Sequence, residues 1–189
     1  MTTMDRLTEI ANKLGTDKGT TAHCGHSYTL TYNELFEGME NVKMLEIGVC
    51  DPRFPGASIK MWKEYFPSLT FVGFDINPEA QKFVGENVSI FIGDQNNPQD
   101  LKRLISEHGA EWDIIIDDGS HYGEHVVTSF KHLYPFLKPN GWYVVEDLHA
   151  VHMDAKKMMN DVHSFIETYN LPMQDFFQRH GGKLFIIRK

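Results

Sequence analysis

Four of the five short apolar runs in the chain end in acidic residues, and this is where the sequence could carry chemistry. The runs end at Asp75, Asp94, Asp117-Asp118 and Glu146-Asp147. Because the carboxyl ends of parallel strands meet at one edge of a sheet, these carboxylates are expected to converge. Like charges packed together are costly unless a cation, ligand hydroxyl groups or N–H donors offset them. The pattern therefore predicts a ligand-binding edge rather than a set of helix caps.

The densest cluster of candidate groups is Asp117-Asp118-Gly119-Ser120-His121. Together with Glu146 and Asp147 on a neighbouring strand end, it supplies hard oxygen ligands. Three carboxylates and water suit an octahedral Mg²⁺ or Mn²⁺ ion, whereas the chain has no cysteine and histidine spacing of the zinc type. His121 could accept a proton near neutral pH from a substrate held by such an ion.

Three further histidines lie close to these acids in the sequence. His149 and His152 follow the second acidic pair and could line a substrate pocket. His125 lies one helical turn after His121 and is expected to pack or to lie at the surface.

A second group of residues predicts a nucleoside site. Glu46-Ile47-Gly48 begins a turn after the first apolar run, and Asp75 ends the second run. In α/β folds the backbone near such a glycine faces the ligand, and the acid accepts hydrogen bonds from ribose hydroxyl groups. The dinucleotide fingerprint G-x-G-x-x-G is absent because Val49-Cys50-Asp51-Pro52 follows Gly48, and this lowers the expectation for NAD.

The predicted strands and helices that position these residues indicate a doubly wound α/β fold. The apolar runs are continuous rather than alternating, which is typical of parallel strands buried on both faces, and amphipathic segments separate them. The Gly181-Gly182 pair predicts a final antiparallel hairpin over residues 173–188. Residues 1–40 are predicted to form a helical cap and residues 41–189 the main part of a single domain. The predicted strands are 44–48, 70–75, 88–94, 112–118 and 142–147, and the predicted helices between them are 58–66, 78–84, 98–108 and 125–137.

Composition restricts the classes of partner and compartment. The 189 residues carry a net charge of −8 without a Lys/Arg cluster, so neither nucleic acid nor an anionic membrane is an expected partner. Cys24 and Cys50 cannot build a disulfide framework, and no targeting segment is recognised, so a cytoplasmic location is expected. No apolar run approaches the roughly 20 residues that span a bilayer. Aromatic residues near the N-terminus and the hairpin would suit a homodimer.

Several motifs together resemble one known family. The chain is similar to the class I S-adenosylmethionine (SAM) dependent methyltransferases of natural-product biosynthesis. The resemblance is strongest to the metal-dependent sugar O-methyltransferases that act on macrolides such as mycinamicin and on rhamnosyl tetracenomycin. IDDGSH with a following VED is more specific than the SAM motif alone. The motifs are GTDKG (15–19), HSYTLTY (26–32), LEIGV (45–49), VGFDI (72–76), FIGDQ (91–95), IIIDDGSH (114–121) and KPNGWYVVEDL (138–148).

The resemblance implies a Rossmann-like, mostly parallel, seven-stranded sheet that binds SAM. Glu46 and Gly48 would lie against the methionine part of SAM. Asp75 would bind the ribose hydroxyl groups with Ile76 beside it, and Gly93-Asp94 would approach the adenine.

The same resemblance assigns the acidic cluster. Asp118, Glu146 and Asp147 would hold Mg²⁺ or another divalent cation, and His121 would be the general base. Asp117 would face the SAM amino group or support the site.

The N-terminal motifs would form part of a lid over SAM. This lid would contain the loop Gly15–Gly19, with Asp17 and Lys18 near the cofactor, and Tyr28 and Tyr32.

The implied activity is methyl transfer from SAM to a hydroxyl group of a sugar or another small natural product. A divalent cation would lower the pKa of that hydroxyl, and His121 would remove its proton. Three alternatives stay open. They are an NAD-linked oxidoreductase or epimerase on the same type of sheet, a SAM-binding module without catalysis, and a metal-dependent oxygenase. The sequence shows no obvious two-histidine, one-carboxylate set for the oxygenase, although His121 and His149 near Asp118 keep that alternative open.

Overall fold

A single seven-stranded sheet organises the molecule. The computed structural model describes residues 4–22 and 25–189, so Cys24 lies outside the described residues. The strands are β1 Lys43–Ile47, β2 Thr70–Asp75, β3 Val88–Ile92, β4 Trp112–Asp117, β5 Leu137–Val145, β6 Asp175–Arg179 and β7 Leu184–Arg188. Their order is β3-β2-β1-β4-β5-β7-β6. The first five strands are parallel, and β7 runs antiparallel to both β5 and β6. The predicted doubly wound sheet and its C-terminal hairpin are confirmed.

The helices cover both faces of this sheet. They are α1 Arg6–Leu14, α2 Tyr28–Phe36, α3 Ala57–Tyr65, α4 Pro98–His108, α5 Gly123–Leu133 and α6 Ala155–Thr168. One hydrophobic core lies between the sheet and α1, α2 and α3, and the other lies between the sheet and α4, α5 and α6. Met44 and Leu45 point into different cores, as expected when consecutive side chains alternate across a strand. No helix within the described ranges is both long and apolar enough to cross a membrane.

Two predicted helices differ in the structure. The predicted helix over 78–84 is a 3₁₀-helix over Pro78–Phe83. The helix predicted over 125–137 ends at Leu133 and continues as a 3₁₀-turn over Tyr134–Phe136, where Pro135 removes a backbone donor. The fifth strand begins earlier than predicted, because Leu137 already pairs with β4 before the ladder shifts register to Trp142.

Helix α6 was not predicted from the sequence. Asp154 caps its N-terminus by accepting a hydrogen bond from the backbone N–H of Lys157 at 3.0 Å. Met158, Val162 and Ile166 form its buried stripe at a spacing of four residues, which is a helical signal that the sequence contained.

The N-terminal helices share a core with the sheet. Leu7 and Ile10 of α1 and Phe36 of α2 belong to the same buried cluster as Met44 of β1. The predicted boundary at residue 40 lies between α2 and β1. Thr16, Asp17 and Lys18, which follow α1, thereby lie at the carboxyl edge of the sheet, where Lys18 meets the acids described below.

Candidate active site

A cavity of about 600 Å³ opens at the carboxyl edge of the sheet. The strand order reverses between β1 and β4, and a reversal of this kind is where open α/β sheets bind ligands. The volume lies in the usual range of small-molecule sites, about 300–1,000 Å³. The residues predicted for SAM, metal or catalysis that line it are Asp17, Lys18, Gly48, Asp75, Ile76, Gly93, Asp94, Asp118, His121 and Asp147. The other three, Glu46, Asp117 and Glu146, lie behind this lining.

Gly48 allows the loops after β1 and β4 to approach each other. Its φ is +85°, and a Cβ atom at this position would lie 2.0 Å from the carbonyl oxygen of Asp118. Its N–H donates to the carbonyl oxygen of Phe74 at 2.8 Å, which also joins the loop to β2. Only glycine satisfies both the left-handed backbone and the close approach.

We expect Gly48→Ala to destabilise the fold more than Gly15→Ala. Gly15 also has a positive φ, +70°, but open space surrounds the position of its Cβ. The control should therefore cost about 1 kcal/mol of unfolding free energy through backbone strain alone. The clash with Asp118 should add about 1–3 kcal/mol for Gly48→Ala. Urea denaturation of both variants measures the difference, and equal losses would show that the close approach carries no energetic weight.

Asp75 is fixed at one side of the cavity by backbone donors. Its Oδ2 accepts from the N–H groups of Val49 and Cys50 at 2.8 and 2.9 Å, and its Oδ1 accepts from Asn77 at 2.8 Å. The neighbouring Ile76 side chain is 70% exposed and offers an apolar surface to the same cavity. A carboxylate held beside an exposed apolar group suits a ribose next to a flat base.

Gly93 and Asp94 continue this side of the cavity. The N–H of Gly93 donates to the carbonyl oxygen of Asp75 at 3.0 Å. Asp94 accepts a hydrogen bond from the N–H of Asn96 at 2.8 Å, and this bond stabilises the turn after β3.

Lys18 is the centre of the acidic cluster. Its ammonium group lies 2.6 Å from Asp118 Oδ2, and 2.9 and 2.8 Å from the two carboxylate oxygens of Glu146. The nearest oxygen of Glu46 is 3.5 Å away. The Lys18 side chain is only 2% exposed. The sequence predicted Lys18 near the cofactor, but not that it would bridge acids of three strand ends.

Strand alternation explains which acids Lys18 meets. Glu46 lies two residues after Met44, and Glu146 lies two residues after Val144, and both apolar residues face the core beneath α1, α2 and α3. The two glutamates are therefore directed towards the N-terminal segment that carries Lys18.

Two tyrosines of α2 hold the second acidic pair. The Tyr28 hydroxyl donates to Asp147 Oδ1, and the Tyr32 hydroxyl donates to Glu146 Oε1, each at 2.6 Å. Positions 28 and 32 lie on one face of the helix because they are four residues apart. The segment predicted as a lid is thus fastened to the acids through Lys18, Tyr28 and Tyr32.

The Lys18 ammonium group contacts three acids, Glu46, Asp118 and Glu146, so its one positive charge does not balance three ionised carboxylates. Burial raises the pKa of Glu46 to about 7, although the ammonium group of Lys18 opposes the shift. Burial, and then the neighbouring Asp118 carboxylate, hold the pKa of Glu146 well above its usual value. Burial also raises the pKa of Asp118 in spite of Lys18. The donors near the Glu46 carboxylate are the Lys18 ammonium group, 3.5 Å away, and the Ser58 side chain, and both oppose the rise in its pKa. The cluster can therefore accommodate further positive charge.

His121 and Asp147 face each other across the open side of this cluster. The Nε2 atom of His121 lies 3.8 Å from Asp118 Oδ1 and 3.9 Å from Asp147 Oδ2. One ligand atom from each of these three side chains lies within 4.8 Å of the others. His121 and Asp147 both have positive φ values, +57° and +55°, a strained conformation that is common at functional sites.

Asp117 points away from the cavity into the other core. It accepts hydrogen bonds from Gln95 Nε2 at 3.0 Å and from the hydroxyl of Ser129. Gln95 also accepts the N–H of Ser120 at 2.7 Å. Gln95 ends the FIGDQ motif, but no role was predicted for it from the sequence. It joins the loop after β3 to the loop that carries His121.

The three further histidines separate in the structure. His125 lines the cavity, and its Nδ1 lies 2.9 Å from the Ser120 hydroxyl. His152 instead stacks on Tyr122 at a ring distance of 4.7 Å. His149 lies on the outer side of Asp147, 3.9 Å from its Oδ1.

Comparison with known proteins gives relatives by both sequence and structure. No protein-family model matches the chain. The demethylmacrocin O-methyltransferase of Streptomyces fradiae is 40% identical over 128 residues, which are 65% of this chain and 32% of that protein. The 8-demethyl-8-alpha-L-rhamnosyl tetracenomycin-C 2'-O-methyltransferase of Streptomyces olivaceus is 40% identical over 135 residues, which are 69% of this chain and 35% of that protein.

A solved structure extends the similarity over almost the whole chain. MycE methyltransferase from the mycinamycin biosynthetic pathway, in complex with Mg, SAH and mycinamycin VI, superimposes with a TM-score of 0.79 and 28% identity. The match covers 97% of this chain and 54% of the MycE chain. The chain thus spans about a third of the curated relatives it matches and about half of MycE. The chain therefore has the class I methyltransferase fold and is related in sequence to macrolide and sugar O-methyltransferases.

Proposed function

We propose that this chain binds SAM in the cavity and transfers its methyl group to a hydroxyl group of a sugar or another small natural product, with the help of a divalent cation. The observation that carries the proposal is the joining of two sites in one cavity. Asp75 and Ile76 form a nucleoside-type wall, and the cluster of Asp118, His121 and Asp147 lies at the other side of the same space. The relatives named above, and the Mg and SAH bound to MycE, support this assignment.

The residues on the nucleoside side fit SAM. The carboxylate of Asp75 is held in place by three backbone N–H groups, which leaves it oriented to accept ribose hydroxyl groups. Gly48 keeps the loop after β1 free of a side chain where the ligand would pass. Glu46, whose nearest cation is the Lys18 ammonium group at 3.5 Å, could also accept a positively charged amino group near the same turn.

The residues on the acidic side fit a divalent cation. Asp118, Glu146 and Asp147 would hold it, and oxygen ligands of this kind are those that Mg²⁺ and Mn²⁺ prefer. The ammonium group of Lys18 contacts Asp118 and Glu146 in the structure, so the ion would have to displace it from these oxygens. A divalent cation held by these residues would lower the pKa of a substrate hydroxyl.

The position of His121 supports a role as the base that would take the proton of that hydroxyl. Its Nε2 faces both Asp118 and Asp147, so a substrate hydroxyl held between these acids lies within reach of the ring. Neutral imidazole accepts a proton near physiological pH. Transfer of a methyl group from a sulfonium to an alkoxide cancels two charges, and a site shielded from water favours this change. Lys18, Tyr28 and the described residues 19–22 and 25–27 between them would provide the shielding as a lid.

The remaining sequence-based expectations stay predictions. They are a cap over residues 1–40 that acts as the lid, a cytoplasmic location, and a homodimer without nucleic-acid or membrane partners.

We expect the protein to bind SAH and not NAD, and we expect Asp75→Asn to weaken SAH binding. The amide cannot accept hydrogen bonds at all the positions where the carboxylate does, so both the loop after β1 and the ribose contact should suffer. A loss of about 10–100-fold in Kd corresponds to about one hydrogen bond to a charged group. Isothermal titration calorimetry measures both ligands.

Asp161→Asn is the matched control, because Asp161 lies on α6 and pairs only with Lys157 among the contacts described. It should bind SAH as the wild type does. Binding of NAD without binding of SAH would overturn the proposal in favour of an oxidoreductase.

A further inference from the structure

Two histidines converge on Asp147 on the side away from His121. The His26 Nε2 and the His149 Nδ1 each lie 3.9 Å from Asp147 Oδ1. The two imidazole rings are 5.7 Å apart and inclined at 60°. One ligand atom from each of the three residues lies within 4.8 Å of the other two.

This cluster of His26, Asp147 and His149 overlaps the acidic site at one residue, Asp147. Asp147 Oδ2 faces His121, whereas Oδ1 faces His26 and His149. Neither His26 nor His149 lines the cavity. The two oxygens of one carboxylate thus serve two different sets of groups.

Ordinary hydrogen bonding does not account for the arrangement. A separation of 3.9 Å is too long for a hydrogen bond, and the close donor to Asp147 Oδ1 is the Tyr28 hydroxyl at 2.6 Å. Within the described part of the chain, no hydrogen bond is formed by either imidazole ring. The ring nitrogen atoms of His26 and His149 thus both approach Asp147 Oδ1, but neither ring forms a hydrogen bond with Asp147 or with the other ring.

We propose that His26, Asp147 and His149 bind one divalent transition-metal ion of the Zn²⁺ class. Imidazole nitrogen suits zinc, nickel, cobalt and iron, whereas Mg²⁺ prefers oxygen ligands. Zinc binds such atoms at about 2.0–2.2 Å, so ligand atoms around one tetrahedral ion lie roughly 3.4 Å apart. The two separations of 3.9 Å from Asp147 need to shorten by about 0.5 Å to reach that spacing, and the separation between the two imidazole nitrogen atoms, which is within 4.8 Å, by up to about 1.4 Å. Three protein ligands leave the fourth position open to water or another donor.

The inferred ion would join two distant parts of the chain. His26 precedes α2 in the segment that also carries Lys18, and His149 lies in the loop after β5. An ion between them would fasten the N-terminal segment to the carboxyl edge of the sheet. The site goes beyond the proposed methyl transfer, and it needs neither SAM nor a methyl acceptor.

Zinc binding to the metal-free, full-length chain in excess Mg²⁺ tests the proposal. Equilibrium dialysis with metal analysis should give about one fewer bound Zn²⁺ per chain for His149→Ala than for the wild type. Alternatively, the Kd of that Zn²⁺ should rise by more than about 100-fold, because removal of a direct ligand exceeds the usual effect of an outer partner. The His149 side chain is 47% exposed, so this variant is expected to fold. His26→Ala should behave in the same way.

His152→Ala is the matched control, because this histidine belongs to the same loop but stacks on Tyr122. It should keep the zinc stoichiometry of the wild type. Anomalous diffraction from zinc-soaked crystals should place a peak between His26, Asp147 and His149. Unchanged zinc stoichiometry and affinity in His149→Ala, or the absence of that peak, would overturn the proposal. Neither readout depends on SAM, so a failure to bind SAH would leave this result standing.

Discussion

Replacement of His121 with asparagine is expected to lower kcat for methyl transfer by about 10²–10⁴-fold, which is the usual contribution of a positioned general base. Asparagine is chosen because position 121 has a φ of +57°. Asparagine tolerates this left-handed backbone better than alanine does, so the change removes the base with little added strain. SAH affinity should stay within about twofold, since His121 contacts the acidic side of the cavity rather than the nucleoside side. Quenched time courses with labelled SAM and a glycosylated acceptor measure kcat.

His152→Asn is the control for this experiment, and it should keep the wild-type rate. A His121→Asn enzyme with unchanged kcat would remove His121 from the mechanism, although it would leave the SAM and metal sites in place. A variant that loses SAH binding as well would indicate a structural role for the loop instead.

Replacement of Lys18 with methionine should destabilise the metal-free protein by about 3–5 kcal/mol. Removal of one partner from a buried ion pair leaves an uncompensated charge of this cost, and Lys18 is the ammonium group that reaches both Asp118 and Glu146. Mg²⁺ should restore much of the loss. A ligand at 100 times its Kd adds about 2.7 kcal/mol to stability, and the ammonium group no longer competes for the same oxygens. Thermal or urea unfolding with and without Mg²⁺ measures both effects.

Lys13→Met provides the comparison, because Lys13 pairs with Glu64 at 2.9 Å on the surface, where its side chain is 68% exposed. That variant should lose no more than about 1 kcal/mol. Should Lys18→Met unfold at the same urea concentration as the wild type in EDTA, the electrostatic description of the acidic cluster would be wrong.

The sequence predicted the sheet because parallel strands and their acidic ends are local features. Each strand is a short apolar run, and the acid that ends it can be recognised without information on the rest of the chain. Strand alternation could also have predicted that Glu46 and Glu146 face the same core while Asp117 faces the other. Helix α6 was missed even though its stripe of Met158, Val162 and Ile166 is regular.

The contacts made by the N-terminal segment could not be predicted in this way. Lys18 meets Asp118 and Glu146 across 100 and 128 positions of the sequence. His26 reaches Asp147 from the same segment. These contacts depend on how α1 and α2 pack on the sheet, and no periodicity or spacing in the sequence encodes that packing.

Crystals grown with Mn²⁺ and SAH would locate the proposed metal and cofactor sites together, because the anomalous signal of manganese locates the ion independently of the protein. We expect a peak about 2.0–2.3 Å from carboxylate oxygens of Asp118, Glu146 and Asp147. We also expect that the SAH ribose lies on Asp75, with the sulfur directed towards the ion. The proposal would be contradicted if crystals saturated with Mn²⁺ showed no peak at these acids and if Lys18, Tyr28 and Tyr32 were still their partners.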